Sequence, residues 1–358
     1  MDFRLSEQQL QLQDSLTRAL DDVLGERRLH EFIEGESSCD PAVWRLLVDF
    51  GATSCCVPQV YGGLGLEMID LALIAEILGW HGAPGPFIGH VLASMAIAAG
   101  GNTDQKARWL PSLASGELVG TVALPDREDA WLPNHWLADP SSLLTGKKLY
   151  APGGRDAKLI VVGLKGGDLA VVERSDVEVT VKDMDGIDRT RRLDQILFNE
   201  AQAHRLGSGN NLGQTVLDAA LILLAADAFG GAQRMVEMSV AYAKTREQFG
   251  VPIANFQALR HQLADMALQT EPCRGLYWFA AHAFDHLPEQ ASHAAALAKA
   301  HNTEMFLQVA RAAIEAHGGI GYTWEHSAHI WLKRAVFDWT WAGPPRTHLA
   351  RAADLADW

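Results

Sequence analysis

From about Gly116 the apolar pattern changes to period two, in short runs with no crossover helix between them. LIVVGL (159–164), LAVVER (169–174), VEVTVKDM (177–184) and LDQILFNE (193–200) therefore predict strands separated by turns. A parallel pair needs a long crossover, usually a helix. None is available here, so the pattern predicts a mostly antiparallel, barrel-like sheet rather than a doubly wound one.

The flanks read differently. Ser6 with Gln9 three residues later is a capping-box pattern, and Leu16, Leu20 and Leu24 follow at helical spacing. A second helix is expected over 41–50 with proline in its first turn. The loop 57–68 (VPQVYGGLGLEM) comes next, then an apolar segment over 68–80, broken by HGAPGPFIGH. Helices are expected at 91–99 and from Thr103, which reads as a cap. After Gly207 the period is helical throughout: 212–244 with an interruption at Gly230-Gly231, then 256–284, 293–317 and 325–337. The division is 1–115 helical, 116–206 strand-rich and 207–358 a helical bundle, which makes the fold class α+β.

With 48% hydrophobic residues the chain can bury a substantial core. Thirty Lys and Arg against 44 Asp and Glu give a formal charge of -14, which argues against a nucleic-acid partner. Cys39, Cys55, Cys56 and Cys273 lack metal-ligand spacing and read as thiols of a reducing compartment. No basic-then-apolar leader opens the chain and no run reads as a membrane span, so the expectation is a cytoplasmic protein without a membrane partner.

Two strings carry a family resemblance. YAKTREQFGVPIANFQALRHQLADM (242–266) and HGGIGYTWEH (317–326) resemble the acyl-CoA dehydrogenases, and 57–68 is similar to that family's Pro-x-x-Tyr-Gly-Gly-x-Gly loop. The resemblance implies an N-terminal helical domain, a middle β-barrel-like domain and a C-terminal four-helix bundle. It also implies FAD as cofactor, an acyl-CoA substrate and electron-transfer flavoprotein as acceptor. HGGIGYTWEH, with WAGPPRTHLARAADL at the C-terminus, looks most like the bacterial steroid-type branch, whose members are often heterotetramers of unlike subunits.

Site residues follow by position. Arg246 matches the arginine that reaches across a dimer interface to the pyrophosphate of the partner's FAD, a task suited to a bidentate, permanently charged group. Alone, it would read as a surface cation at a helix C-terminus. Gln248 lies in the same string, and Phe249 and Gln257 match positions that contact this cofactor; a core aromatic and a plain helix start are their ordinary readings. Gly318, Gly319 and Gly321 sit where the backbone approaches the ADP part closely, and they also suit a helix C-cap. Glu315 stands where the family usually has Gln, a carboxylate beside an anionic group.

Other positions depart further. Ala342 stands where the family keeps its catalytic carboxylate, and Ala220 at the alternative location used by some members. Abstraction of the weakly acidic α-proton of a thioester needs such a base. Asp338 and Asp227 are candidates for a relocated one: Asp338 would share a helix face with Ala342, and Asp227 lies two turns after Ala220. In the segment 146–158 the hydroxyl residue that approaches the flavin ring is replaced by Pro152, and no Ser or Thr occurs between Thr121 and Ser141. By that resemblance the chain keeps most of what serves a partner's flavin and lacks most of what serves its own. The expectation is a non-catalytic subunit completing the FAD site of a homologous, Glu-bearing chain. The alternatives are a self-sufficient flavoenzyme with a relocated base, and a CoA-thioester-binding scaffold without redox function.

Overall fold

The computed structural model describes residues 4–175, 177–207 and 211–356. Its architecture is helical, then a middle sheet, then helical, as expected. By contacts the chain forms two compact units, Glu31–Leu71 with Pro84–Ala220, and Met1–His30 with Ala72–Ala83 and Leu221–Trp358.

The first unit carries the sheet. α3 (Pro41–Asp49) is capped by Asp40, whose carboxylate accepts from the Ala42 and Val43 N–H groups. α5 (Phe87–Gly100) begins four residues before the expected start, because Phe87 and the residues that follow are buried and extend the apolar face backwards. α6 (Thr103–Ala114) is capped by Asn102 rather than Thr103. The amide oxygen of Asn102 accepts from Gln105 N–H while the Gln105 side chain returns to Asn102 N–H, each at 2.9 Å. The reciprocal pair satisfies two terminal donors at once, which a threonine one residue later could not do.

Six strands follow: β1 (Gly120–Ala123), β2 (Leu143–Pro152), β3 (Leu159–Gly163), β4 (Leu169–Glu173), β5 (Val179–Asp183) and β6 (Leu193–Arg205). The order is β1-β3-β4-β6-β2 with β5 also on β6, antiparallel except for β1 against β3. The sheet nearly closes: Thr121 Oγ1 of β1 donates to the Pro152 carbonyl of β2 at 2.7 Å, and Leu149 N–H donates to the Pro125 carbonyl at 2.9 Å. Alternate residues fill its interior, Ile160 and Val162, Ala170 and Val172, Ile196 and Phe198. β6 then changes parity to Ala201 and Ala203, with Glu200 at φ 53° and a register shift on β2 between Leu144 and Gly146. The extra residue is a bulge that keeps β6 facing the core along its whole length.

β2 breaks the alternation because Lys148 is buried. Its Nζ donates to the Leu124 carbonyl at 2.7 Å and to Asp126 Oδ2 at 2.9 Å, and burial lowers its pKa to about 8 despite Asp126.

The second unit is helical. It holds α1 (Glu7–Val23), the start of α2 (Glu26–Glu34) and most of α4 (Met68–His81). The remaining helices are α7 (Leu212–Thr245) from Leu221 onward, α8 (Gln257–Thr270), α9 (Pro272–His286), α10 (Pro288–His317), α11 (Ala328–Thr340) and α12 (Pro345–Leu355). The capping box of α1 forms as read, with Leu16 and Leu20 fully buried. The expected helix over 256–284 is two helices divided at Pro272, which has no N–H to continue the ladder.

α7 is not interrupted at Gly230-Gly231. A Cβ on Gly230 would lie 1.9 Å from the Glu76 carbonyl oxygen of α4, and one on Gly79 of α4 would lie 2.1 Å from the Asp227 carbonyl oxygen. The glycines let two helix backbones touch; they do not end a helix. One window of α7 is also long and apolar enough to cross a membrane, contrary to the reading that no run is, yet 94% of it is buried inside the protein.

Gly230→Ala is expected to cost about 1–3 kcal/mol net through this overpacking, even though alanine is the better helix former by about 1 kcal/mol. Gly275→Ala in α9, where an added Cβ meets nothing within 4 Å, is expected to gain up to about 1 kcal/mol. Urea denaturation midpoints of the two variants should move in opposite directions.

Candidate functional site

α7 ends at Thr245 and the chain turns back in a two-stranded hairpin, β7 (Glu247–Gln248) and β8 (Val251–Pro252). Both residues at its tip have positive φ, Phe249 at 54° and Gly250 at 79°, the geometry that matches strand twist in a two-residue turn. Arg246 is fixed at the hairpin's base: its N–H donates to the Tyr242 carbonyl and its carbonyl accepts from Ile253 N–H, each at 2.8 Å. Its side chain is exposed and makes no ion pair among the described residues. Phe249 is 93% exposed and touches Phe256 edge-on at 6.0 Å, so it is no core aromatic.

At the end of α10, His317 Nδ1 donates to the Ala313 carbonyl at 2.7 Å and Gly318 turns the chain at φ 65°. A Cβ on Gly318 or Gly319 would meet nothing within 4 Å, whereas one on Gly321 would come 2.8 Å from the Ile314 carbonyl oxygen. Gly321 is therefore demanded by packing, and Gly318 and Gly319 leave open space.

That space is a concavity of about 590 Å³ bringing together Arg246, Gln248, Glu315, Gly318 and Gly319. Phe249, Gln257 and Gly321 are not in its lining; Gln257 is the exposed first residue of α8. Tyr242, His317, Thr323 and Glu325 are in the lining and were not read from sequence. Tyr242 precedes Arg246 by one helical turn and His317 opens the glycine string, so helical spacing could have found both. The size is that of a small-molecule site, and its exposed backbone and uncommitted guanidinium fit one anionic group with a flat or hydroxylated neighbour. Glu315 and Glu325 on the same wall leave little surplus positive charge.

The residues expected to face a flavin ring fit less well. Pro152 is buried with its carbonyl already taken by Thr121, and Tyr150 stacks on Trp131 at 5.2 Å between centroids. This segment offers no hydroxyl at that point.

Ala220 is fully buried in α7. Ala342 is 3% exposed with φ 61°, and its carbonyl accepts from His348 Nε2 at 2.9 Å. α11 ends at Thr340 and Trp341 is extended, so Asp338 and Ala342 do not share a helix face, contrary to expectation. Asp338 is fully buried, with Lys299 Nζ donating to its backbone carbonyl. Asp227 is held by Arg334, with Nε–Oδ1 at 2.9 Å and Nη2–Oδ2 at 2.5 Å.

Comparison with known proteins agrees with the fold. The family model for the acyl-CoA dehydrogenase N-terminal domain matches residues 6–117, and that for the C-terminal domain matches 207–354. Acyl-CoA dehydrogenase IpdE2 of Mycolicibacterium smegmatis is 30% identical over 350 residues, covering 97% of this chain and 98% of that one. Its namesake in Mycobacterium tuberculosis is 33% identical over 297 residues, 83% of this chain and 80% of that one. The solved Tcur3481-Tcur3483 steroid acyl-CoA dehydrogenase (G363A variant) superposes with TM-score 0.89 at 28% identity, covering 98% of each chain. Matched over most of its length by both domain models and end to end by a relative, the chain belongs to the acyl-CoA dehydrogenase family, a family of FAD-dependent oxidoreductases.

Proposed function

We propose that this chain is the helper subunit of a heteromeric acyl-CoA dehydrogenase, completing the FAD site of a homologous chain that supplies the catalytic Glu. The observation that carries the reading is the contrast between two sets of residues. The outward-facing set, Arg246, Gln248, Gly318 and Gly319, is assembled around an open cavity. The inward-serving set is gone, with Ala220 and Ala342 in place of a base and Pro152 in place of a hydroxyl.

In this reading Arg246 would hold the pyrophosphate of the partner's FAD, with Gln248 beside it and the open glycine backbone toward the ADP end. Phe249 on the hairpin and Gln257 on α8, outside the cavity lining, would flank the same group. Gly321 supports the turn, and Glu315 tempers affinity. FAD bound there would supply the hydride acceptor, and the carboxylate needed for the α-proton would come from the partner chain. A two-chain steroid enzyme among the similar structures, Tcur3481-Tcur3483, supports a bulky or cyclic acyl group and an unlike partner chain. The relocated-base alternative is disfavoured because Asp227 is committed to Arg334 and Asp338 is enclosed.

Purified alone, the chain should be colourless. Co-expressed with a homologous Glu-bearing chain, it should co-purify as a yellow complex with one FAD per pair of unlike chains. A yellow isolated chain that an acyl-CoA bleaches would overturn the proposal.

A further inference from the structure

Four histidines from separate segments meet at the turn after α10. His317 ends α10, His326 lies in the turn, His329 is in the first turn of α11 and His30 is in α2. The His317 and His326 rings are 4.4 Å apart and those of His30 and His329 are 5.7 Å apart. Tyr242 packs on His317 at 4.7 Å and Trp324 on His329 at 4.7 Å. His30 Nε2 lies 3.1 Å from Ser327 Oγ, tying the turn to α2.

Two of the four rings are buried and two, His30 and His326, are half-buried, and counter-charge is sparse. His317 is 3% exposed and His329 9%. Both ring nitrogens of His329 are buried without a hydrogen-bond partner among the described residues, whereas His317 meets the backbone of Ala313 and Met238. None of the four makes an ion pair there. The charges that face them are Glu26 from α2, which favours a proton on His326, and Lys333 from α11, which opposes one on His329 and sits over Trp324 at 4.4 Å. Glu315 and Glu325 face the adjoining cavity, whose wall His317 and Tyr242 share.

We infer that this cluster is an acid-sensitive latch on the 318–327 turn: proton uptake by the rings drives the turn off α2 and α11 and so moves one wall of the cavity beside Arg246. Neutral rings pack at these distances, whereas imidazolium rings repel one another, and Glu26 offsets this only in part, at His326. Burial holds His329 down at about 4, and burial also lowers His317 and His326. In an opened turn the rings would return to the ordinary histidine value near 6.5. A closed-state value below the open-state one means the latch is at full strength above about pH 6.5 and weakens as pH falls toward 4. His329 alone shifts the opening equilibrium about tenfold between pH 7.5 and 5.5, and His317 and His326 add to it.

Hydrogen exchange with mass spectrometry on the full chain at pH 7.5 and 5.5, corrected for intrinsic exchange, tests this. Peptides over 316–330 should open at least about tenfold more at pH 5.5, with α8 and α9 unchanged. His329→Phe should flatten that response while keeping bundle protection at pH 7.5; His30→Gln should weaken it, and serves if His329→Phe does not fold. A turn whose opening ignores pH, a bundle that opens equally, or an unaltered response in the folded variant would each overturn the inference.

Discussion

Asp227→Asn is expected to destabilise the chain by about 3–5 kcal/mol, the cost of stranding one partner of a buried ion pair. Arg334 and Asp227 side chains are 2% and 8% exposed, and the guanidinium meets the carboxylate through two parallel bonds. Its remaining nitrogen donates to the Ala83 carbonyl at 3.1 Å. An asparagine keeps the shape but removes the charge and turns an amide donor toward a donor. Arg334→Met should be similarly costly alone, whereas Asp227→Leu with Arg334→Met should recover most of the loss, because neither charge is then left unsolvated. Urea midpoints of the three variants measure this. The same variants separate structure from chemistry: were Asp227 a general base, Asp227→Asn would remove turnover from the assembled enzyme without moving the midpoint.

This pair shows where the sequence is legible and where it is not. Signals confined to a few neighbouring residues translate directly: the Ser6–Gln9 box, the proline starting α3 and the period-two runs of the sheet each form what the spacing implies. Features decided across the chain do not. Gly230-Gly231 reads as a breaker, because nothing nearby reveals that the Glu76 carbonyl will press against it. Lys148 hides β2, since its buried ammonium finds a carbonyl and Asp126 only after folding. Asp338 and Ala342 are four apart, yet α11 stops between them, and Asp227 finds its cation 107 residues away.

The cavity is intermediate. Arg246 and the glycine string are separated by some seventy residues, but both lie at helix ends, and helix ends are readable from Gly and Thr at the termini. Positions that merely flank the cavity, such as Phe249 and Gln257, depend on a side-chain direction that spacing does not define.

Arg246→Ala is expected to weaken FAD retention in the co-purified complex by about 100-fold or more, while leaving the isolated chain's stability unchanged. A guanidinium on a phosphate makes charge-assisted bonds of about 1.5–3 kcal/mol each, and two of them exceed the 1.4 kcal/mol that separates each factor of ten. Because Arg246 is exposed and makes no ion pair among the described residues, folding has nothing to lose by its removal. Arg246→Lys keeps the charge but not the fork, and should fall between the two. Glu315 acts in the opposite sense. It shares the cavity with Arg246, so Glu315→Gln should tighten retention several-fold, and the effect should shrink in high salt as an exposed charge is screened. FAD content per chain pair, read by absorbance after gel filtration, orders the four proteins. If Arg246→Ala holds as much FAD as the parent complex, the cavity does not serve the partner's cofactor, and the division of labour between subunits must rest on some other surface.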